Sequence, residues 1–496
     1  MKRIKTPLKA RVGLYTTGHP MYWEQFDGIK DRVLEYGRFI EKKMTEICEV
    51  KYFGIVDTVD SGRRAGEYFN TENVDIIFLH SASYEMSSGV LPVHQRCNAP
   101  LVMLNLQPCS CINFSETSTA EWLSLDTSCS IPEFCNVLNR SGIKYSTVSG
   151  LLGMEDTLGC VSDCNTKGAL QAEASWKEIG EYIDAAMVKR NIRESNMGML
   201  GNFYCGMLDM YTDFTLCQAK LGAHIEIVEM SDLVRNLEKV TDAEVREKIK
   251  EINAFFEAGG DSASDPITLR TDDEVVEWAA KVACGQERMV QEYGLDAVAY
   301  YYHGFEDYFE KIQGGFIVGL SLLTAKGVPC AGEGDMKTAF VMRICDLLNK
   351  GGSFCEIVTT DYPKNAIIIG HDGPFHIGIT DKKPVMRKMA LYHGKRGSGI
   401  SVEASVRPGP ITTFALAQVA GGGLRFIAFE GNAYTDQMMA IGNTETHVDF
   451  GCDPIEFYQK WFDAAPAHHF ALSVGHNISV FEKVAKLMDI EFLNIK

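Results

Sequence analysis

The strongest constraint on the fold is an alternation of short apolar strands with longer amphipathic helices along the first third of the chain. Apolar residues are continuous or alternate in the strands, and they recur about every 3.6 residues in the helices. The predicted elements are, in order, strand Arg11–Thr17, helix Trp23–Cys48, and strands Val50–Val56, Val74–His80 and Pro100–Leu106. Strand, helix and strand joined by short links predict a doubly wound parallel sheet, and therefore a Rossmann-like α/β domain.

A second unit of the same kind follows a charged helical connector that begins near Ser175. Its predicted elements are strands Met197–Phe203, His224–Glu229 and Ala297–Tyr302, with helices Ser231–Phe256 and Asp272–Tyr293. From about Gly327 the pattern changes to one helix, several glycine-punctuated strands and a closing helix at Ser479–Met488. The sequence therefore predicts an α/β protein with Rossmann-like domains at residues 1–174 and 175–326 and a β-rich, metal-binding domain at 327–496.

The charge balance restricts the partners that this chain can bind. It carries 48 Lys and Arg against 66 Asp and Glu, which gives a formal net charge of −18. Nucleic acids and anionic membranes both require a basic surface, so neither is expected as a partner. No apolar run is long enough to predict a membrane span or a secretory signal. The 15 cysteines lack a regular metal-binding spacing, which indicates reduced thiols and a cytoplasmic location.

The run from Ala331 to Lys337 places a carboxylate where a short apolar strand meets a long helix. Glu333 lies between two glycines, so a ligand can approach the backbone closely, and it precedes a helix whose positive end favours an ionised carboxylate. This is the position of a ligand-binding acid. The alternative is that Glu333 or Asp335 only caps the helix.

Further acids and imidazoles follow strands of the predicted C-terminal domain. Asp361 precedes a buried strand that ends at His371, and His468 with His469 precede another. Strand ends collect ligands in sheets of this kind. Two carboxylates with two imidazoles suit a divalent cation such as Mn²⁺ with coordination positions left open. The sequence therefore predicts a metal site, although each histidine taken alone fits a buried or surface role.

A cation held by two carboxylates suits proton transfer between adjacent carbons of a hydroxy-carbonyl compound. The cation polarises the two oxygens, which stabilises a cis-enediol, while the carboxylates carry the proton. Other chemistries lack their motifs. The chain has no phosphate-binding loop and no nucleophile elbow, and Gly421–Gly423 leads into a strand instead of the helix that a dinucleotide fingerprint requires.

These segments are similar to a known family. Ala331–Phe340 resembles the acid-containing motif of L-arabinose isomerases, and the stretch from His468 through the last helix to Glu491 resembles their C-terminal His-His segment. Tyr15–Tyr22 and Phe78–Ser81 are similar to their substrate-side loops. The related L-fucose isomerases share the architecture. The resemblance touches all three predicted domains.

The resemblance implies a Mn²⁺-dependent aldose–ketose isomerase, with another divalent cation as the alternative metal. It implies Glu333 as the first acidic ligand and proton shuttle, Asp361 as the second acid, and His371 and His469 as imidazole ligands. In this family a neighbouring subunit completes the active site, which implies a homo-oligomer, either a trimer or a hexamer. The residues implied on the sugar side are His19, Tyr22, Trp23, His80 and His468.

Departures from the family pattern bear on the substrate. Thr360-Asp361-Tyr362 stands where L-arabinose isomerases have Glu-Asp-Tyr, and His19 stands where they have glutamine. We therefore expect a free pentose or hexose other than L-arabinose, such as a deoxy or C6-substituted sugar. Two alternatives stay open at this point: a sugar-binding or regulatory protein that lost the chemistry, and a metal-dependent epimerase or lyase that uses the same enediolate.

Overall fold

The computed structural model describes residues 1–155, 159–392 and 394–495. The chain divides into two compact units. The N-terminal unit is Leu8–Arg190, and the C-terminal unit is Asn191–Lys496 together with the first segment, Met1–Pro7. The predicted division into three domains at residues 174 and 326 stays a prediction.

The N-terminal unit is built on a parallel five-stranded sheet. Its strands are β1 Arg11–Thr17, β2 Glu49–Val56, β3 Ile76–Ser81, β4 Leu101–Gln107 and β5 Tyr145–Leu151, in the order β2-β1-β3-β4-β5. Its helices are α1 Pro20–Gln25, α2 Ile29–Thr45, α3 Val59–Thr71, α4 Ser87–Arg96, α5 Thr119–Ser124, α6 Ile131–Arg140 and α7 Leu170–Arg193. This is a doubly wound order, so the predicted Rossmann-like fold is confirmed.

One predicted helix of this unit is two helices. The sequence predicts a single helix over Trp23–Cys48, whereas the chain forms α1, turns, and starts α2 at Ile29. The residue between them, Gly28, has a φ of +81°, which is left-handed backbone that a side chain disfavours. The apolar period alone did not reveal this break.

The C-terminal unit begins with a second parallel sheet. Its strands are β6 Asn196–Gly201, β7 His224–Val228, β10 Ala297–Tyr301 and β11 Cys330–Ala331, in the order β11-β10-β6-β7. Its helices are α8 Phe214–Leu221, α9 Met230–Leu237, α10 Asp242–Phe255, α11 Asp273–Glu292, α12 Asp307–Gly314 and α13 Phe316–Ala325. The single helix predicted over Ser231–Phe256 is α9 and α10. Helix α9 ends at Leu237, and Thr241 caps α10 through a reciprocal capping box with Glu244.

The remainder of this unit contains a closed antiparallel barrel, which confirms the predicted β-rich region. Its strands are β12 Gly351–Asp361, β13 Ala366–His371, β16 Gly409–Val419, β17 Gly423–Tyr434, β18 Thr444–Asp449 and β19 His469–Val474. They run in the order β16-β19-β12-β13-β18-β17, and β17 pairs again with β16. The other elements are β8 Glu257–Ala258, β9 Thr268–Leu269, β14 Val385–Met389, β15 Gly399–Glu403, β20 Glu491–Asn494, α14 Met336–Leu347, α15 Pro454–Asp463 and α16 Ile478–Met488.

Helix α14 joins the parallel sheet to the barrel. It starts directly after β11, and every one of its residues is buried. It packs against β12, β16 and β19 of the barrel and against β10 of the sheet. A helix enclosed on all sides cannot shift without disturbing the core, so its first turn is a fixed point for side chains that face the barrel end.

None of the described helices is long and apolar enough to cross a membrane. All of the cysteines lie in the described ranges and carry free thiols.

We predict that the N-terminal unit loses stability as pH rises through the titration of Glu85. Burial, aided by the charge of Asp57, raises the pKa of this carboxyl to about 8. Because the folded pKa exceeds the unfolded one, about 4.3, the stabilisation is full below the unfolded pKa and is lost as pH approaches 8. The slope for one proton is about 1.4 kcal/mol per pH unit.

Thermal midpoints of the wild type and Glu85→Gln, measured from pH 5 to pH 8, test this directly. The thermal midpoint of Glu85→Gln should rise relative to that of the wild type as pH increases. The midpoint of Glu116→Gln, which alters an exposed glutamate of the same unit, should change with pH as that of the wild type does. Parallel curves for Glu85→Gln and the wild type would contradict the prediction.

Candidate metal centre

Glu333 lies in a strained turn between β11 and α14. It belongs to a short 3-10 turn, Gly332–Gly334, and its φ of +58° is left-handed backbone, which costs a glutamate about 1 kcal/mol or more. A Cβ on Gly334 would come within 2.5 Å of the backbone oxygen of Asn202, so only glycine fits there. The backbone N–H of Tyr204 donates to the backbone carbonyl oxygen of Glu333 at 3.0 Å. The surrounding structure therefore holds this glutamate in a conformation that it would not adopt alone.

The helix cap is Asp335, not Glu333. One Asp335 oxygen accepts from the Thr338 N–H at 3.1 Å, and the other accepts from the Thr338 hydroxyl at 2.7 Å. Burial alone would raise the pKa of Asp335. The Lys337 ammonium, 3.7 Å away, and hydrogen bonds from His469 and Thr338 outweigh it and hold this pKa well below its usual range. Asp335 therefore has the helix-capping role that the sequence allowed for either acid, and Glu333 is left as the candidate ligand-binding acid.

His469, at the start of β19, is fully buried. One of its ring nitrogens contacts a carboxylate, and the other has no hydrogen-bond partner among the described residues. Its Nδ1 lies 3.3 Å from the ionised Asp335 carboxylate, which can only accept, so Nδ1 carries the proton. Burial lowers the pKa of His469 to about 3, so the ring is neutral. Nε2 has no hydrogen-bond partner among the described residues and lies 3.5 Å from Oε2 of Glu333. A buried lone pair with a carboxylate behind the ring is the usual state of a metal-binding histidine.

Strand pairing in the barrel places a second carboxylate and a second imidazole beside His469. Glu356 of β12 pairs with His469 of β19 on one side and with Gly370 of β13 on the other, and His371 follows Gly370. Ligand atoms of Glu356, His371 and His469 all lie within 4.8 Å of one another. The ring of Phe354 contacts both imidazoles, with centroid distances of 4.6 Å to His371 and 4.4 Å to His469.

Burial and neighbouring charges shift the pKa values of Glu333 and His371 in this cluster. Burial raises the pKa of the Glu333 carboxyl, and the neighbouring Asp372 adds to the rise while His371 and Lys395 oppose it. Burial would lower the pKa of His371, but the Asp372 carboxylate, with an oxygen 3.0 Å from Nδ1, outweighs it and raises that pKa. Both shifts follow from placing acids and imidazoles together away from water.

His468 lies next to the cluster and has its own carboxylate partner. Ligand atoms of Glu333, His468 and His469 lie within 4.8 Å of one another. Nδ1 of His468 is 2.6 Å from Oδ2 of Asp209, which also accepts from the His468 backbone N–H at 3.2 Å. Burial would raise the pKa of Asp209, but these hydrogen bonds outweigh it and hold that pKa below its usual range. Asp209 was not identified from the sequence, because a lone acid in a loop carries no periodic or spacing signal.

The predicted second acid, Asp361, is not in this cluster. It is the last residue of β12, opposite Ala366, and strand geometry puts it roughly 15 Å along the strand from Glu356. Its carboxylate accepts from the Lys364 backbone N–H at 3.3 Å, which caps the turn at Tyr362–Lys364, and lies 3.3 Å from the Lys364 ammonium. Glu356 occupies the place predicted for Asp361. A charged residue directly after the buried run Gly351–Cys355 was the available signal.

The predicted sugar-side residues other than His468 lie in the N-terminal unit. His19 caps α1, accepting from the Met21 N–H at 3.2 Å, and its ring lies 5.0 Å from that of Tyr22. Trp23 donates to Asp57 at 3.0 Å, and His80 is buried within β3. Their contact with a sugar stays a prediction.

The donor set of the cluster fits a divalent cation. The described residues Glu333, Glu356, His371 and His469 provide two carboxylates and two imidazoles, and His469 contributes a buried nitrogen that lacks any other partner. Mixed oxygen and imidazole donors are typical of Mn²⁺ and related borderline cations. These four residues form a candidate site for a cation, and that candidate site is what the name metal centre means below.

Comparison with known proteins finds related sequences. Residues 212–351 match the L-arabinose isomerase central domain. The L-arabinose isomerases of Escherichia fergusonii and of Escherichia coli strain K12 are each 22% identical to this chain over 346 residues, and that of Enterobacter sp. strain 638 is likewise 22% identical. Each match covers 65% of this chain and 65% of the relative. The matched central domain includes Glu333, Asp335 and Lys337 of the motif.

We predict that Glu356 is required for cation binding and that Asp361 is not. Glu356→Ala removes one of the four donors, so the dissociation constant for Mn²⁺ should rise by about 10- to 100-fold, the range typical for loss of a group at a metal site. Asp361→Ala should bind as the wild type does. Isothermal titration of the metal-free proteins gives both values, and the reverse order of effects would restore Asp361 as the second acid.

Proposed function

We propose that this chain, a divergent member of the L-arabinose isomerase family, is a metal-dependent isomerase that interconverts a free aldose and its ketose. The observation that carries the proposal is that acids and imidazoles from four separate elements meet at His469: ligand atoms of Glu356, His371 and His469 lie within 4.8 Å of one another, and Oε2 of Glu333 lies 3.5 Å from Nε2 of His469. A sugar-binding protein without catalysis needs no such concentration of acids and imidazoles, whose burial destabilises the fold unless each is satisfied.

The four residues of the metal centre would hold the cation, with Mn²⁺ as the first choice. When bound, the cation would supply Lewis-acid polarisation of the carbonyl and hydroxyl oxygens of the open-chain sugar. The residues divide the remaining work. His371 and His469 would each offer an imidazole nitrogen to the cation, and Asp335 fixes the orientation of His469 from behind.

Proton transfer would fall to the two glutamates. One carboxylate removes the proton from the carbon next to the carbonyl, which gives the cis-enediol, and a proton returned to the adjacent carbon completes the isomerisation. Glu333 is the preferred shuttle because burial raises the pKa of its carboxyl, which strengthens it as a base. The strained turn keeps its carboxylate at the cluster, so no conformational search is needed during the reaction.

The sugar is proposed to differ from L-arabinose. His19 stands where the family has glutamine, and Tyr84 lies beside it with ring centroids 6.2 Å apart. An imidazole beside two tyrosine rings differs from an amide in both shape and hydrogen bonding. We therefore propose a deoxy or C6-substituted pentose or hexose. A cytoplasmic location and a homo-oligomer whose subunits share the active site belong to the same proposal.

A panel of free aldoses tests the activity. The purified protein loaded with Mn²⁺ should form a ketose from at least one pentose or hexose, and the panel should include deoxy sugars and uronic acids. Dialysis against a chelator should abolish turnover, with Mn²⁺ restoring it most fully among Mn²⁺, Co²⁺, Mg²⁺ and Zn²⁺. Full turnover after verified metal removal, or an epimer or cleavage product in place of a ketose, would reject the proposal.

Glu333→Gln tests the proton shuttle. The amide keeps the size of the side chain but cannot take up a proton, so kcat should fall by about 10²- to 10⁴-fold. The thermal midpoint should change little because the motif buries a polar group and few apolar atoms at this position. Unchanged kcat in a folded, metal-loaded variant would exclude Glu333 as the base.

A further inference from the structure

Each imidazole of the His468–His469 pair is held by its own carboxylate, and the two rings differ in exposure. Nδ1 of His469 is 3.3 Å from Asp335, and that side chain is fully buried. Nδ1 of His468 is 2.6 Å from Asp209, and its side chain is 36% exposed. The same arrangement therefore occurs twice, once inside the metal centre and once on its solvent side.

Lys337 contacts both Asp335 and the turn that carries Asp209. Its side chain is 1% exposed, and its ammonium donates to the backbone oxygen of Asp209 at 2.6 Å and to the Thr212 hydroxyl at 3.1 Å. It also lies 3.7 Å from Asp335. A buried ammonium destabilises the fold strongly unless its hydrogens are satisfied, so this lysine fixes the turn Leu208–Met210 that carries Asp209. The first turn of α14 thereby sets the position of an acid on a distant loop.

The direction of the hydrogen bond determines what His468 offers to a ligand. A carboxylate accepts only, so Nδ1 of His468 is the donor, and in the neutral imidazole Nε2 keeps its lone pair. One ring atom of His468 lies within 4.8 Å of donor atoms of Glu333 and His469. In the proposed function the four residues of the metal centre hold the cation, which leaves His468 for a hydroxyl group of the substrate.

We propose that Asp209 is a positioning residue that orients His468 so that Nε2 accepts a hydrogen bond from a hydroxyl of the open-chain sugar beside the metal centre. This inference rests on the proposed function. The ligand class is a linear polyhydroxylated chain, which includes alditols that cannot react. Asp209 acts through His468 and touches neither the cation nor the sugar.

Binding of unreactive alditols to the Mn²⁺-loaded protein tests the inference without turnover. Calorimetry with ribitol, arabinitol and galactitol should show that Asp209→Ala weakens the binding of the best alditol roughly tenfold, the effect of one charge-assisted hydrogen bond. KM for the sugar should rise similarly while Mn²⁺ affinity stays unchanged. Asp209→Asn should recover part of the loss, because its amide oxygen still accepts.

A double-mutant cycle separates positioning from a general structural effect. His468→Ala should weaken alditol binding about as much as Asp209→Ala, and the double variant should be no weaker than His468→Ala alone. Glu226→Ala is the matched control, since His224 and Glu226 form another carboxylate–imidazole pair, 3.2 Å apart and exposed on β7. It should bind alditols as the wild type does.

Three results would overturn the inference. Additive effects in the cycle would show that Asp209 does not act through His468, and loss of Mn²⁺ affinity in His468→Ala would make His468 a metal ligand. Equal alditol binding by the wild type and Asp209→Ala would remove the role while leaving the isomerase proposal intact. A wild type that binds no alditol and isomerises no sugar would remove both.

Discussion

The Asp335 carboxylate is the interaction on which the metal centre depends. It caps the N-terminus of α14, accepts from the buried His469 imidazole and lies beside the buried Lys337 ammonium. An isolated carboxylate at this depth would be strongly unfavourable. Here a helix N-terminus, a cation and a hydrogen-bond donor converge on it and keep it ionised. Removal of any one partner would leave charges buried without compensation, so the three contacts stabilise one another.

A chain of contacts spreads from this carboxylate through the C-terminal unit. On one side it sets the His469 ring, whose Nε2 faces Glu333 in its strained turn. On the other side Lys337 holds the loop that bears Asp209, and Asp209 holds His468. Alternate residues of the segment Ala331–Lys337 therefore have different roles. Glu333 faces the site, and Asp335 orients the His469 imidazole. Lys337 holds the turn that carries Asp209, whose carboxylate contacts His468.

The elements of regular structure were largely predictable because apolar periodicity is a local property. The buried helix after Glu333 and the strands of both parallel sheets, except β5, follow directly from it. The breaks at Gly28 and before Thr241 were missed because helix caps interrupt the backbone without interrupting the apolar face. Closure of the barrel could not be predicted, since the pairing of β19 with both β12 and β16 joins strands far apart in sequence.

The metal centre shows the same limit more sharply. Glu333, His371 and His469 could be named from the sequence because each stands at the end of a strand or the start of a helix, where side chains are free to face a ligand. The second acid could not, because Asp361 and Glu356 lie on one strand and only the register of β12 against β13 and β19 decides which of them meets His469. The sequence by itself determined the chemical types of the donors and the elements that carry them. Tertiary structure alone decided that Glu356, not Asp361, lies beside His469 and that Asp209 contacts His468, because those neighbours depend on strand register and on a buried lysine contact between residues more than a hundred positions apart.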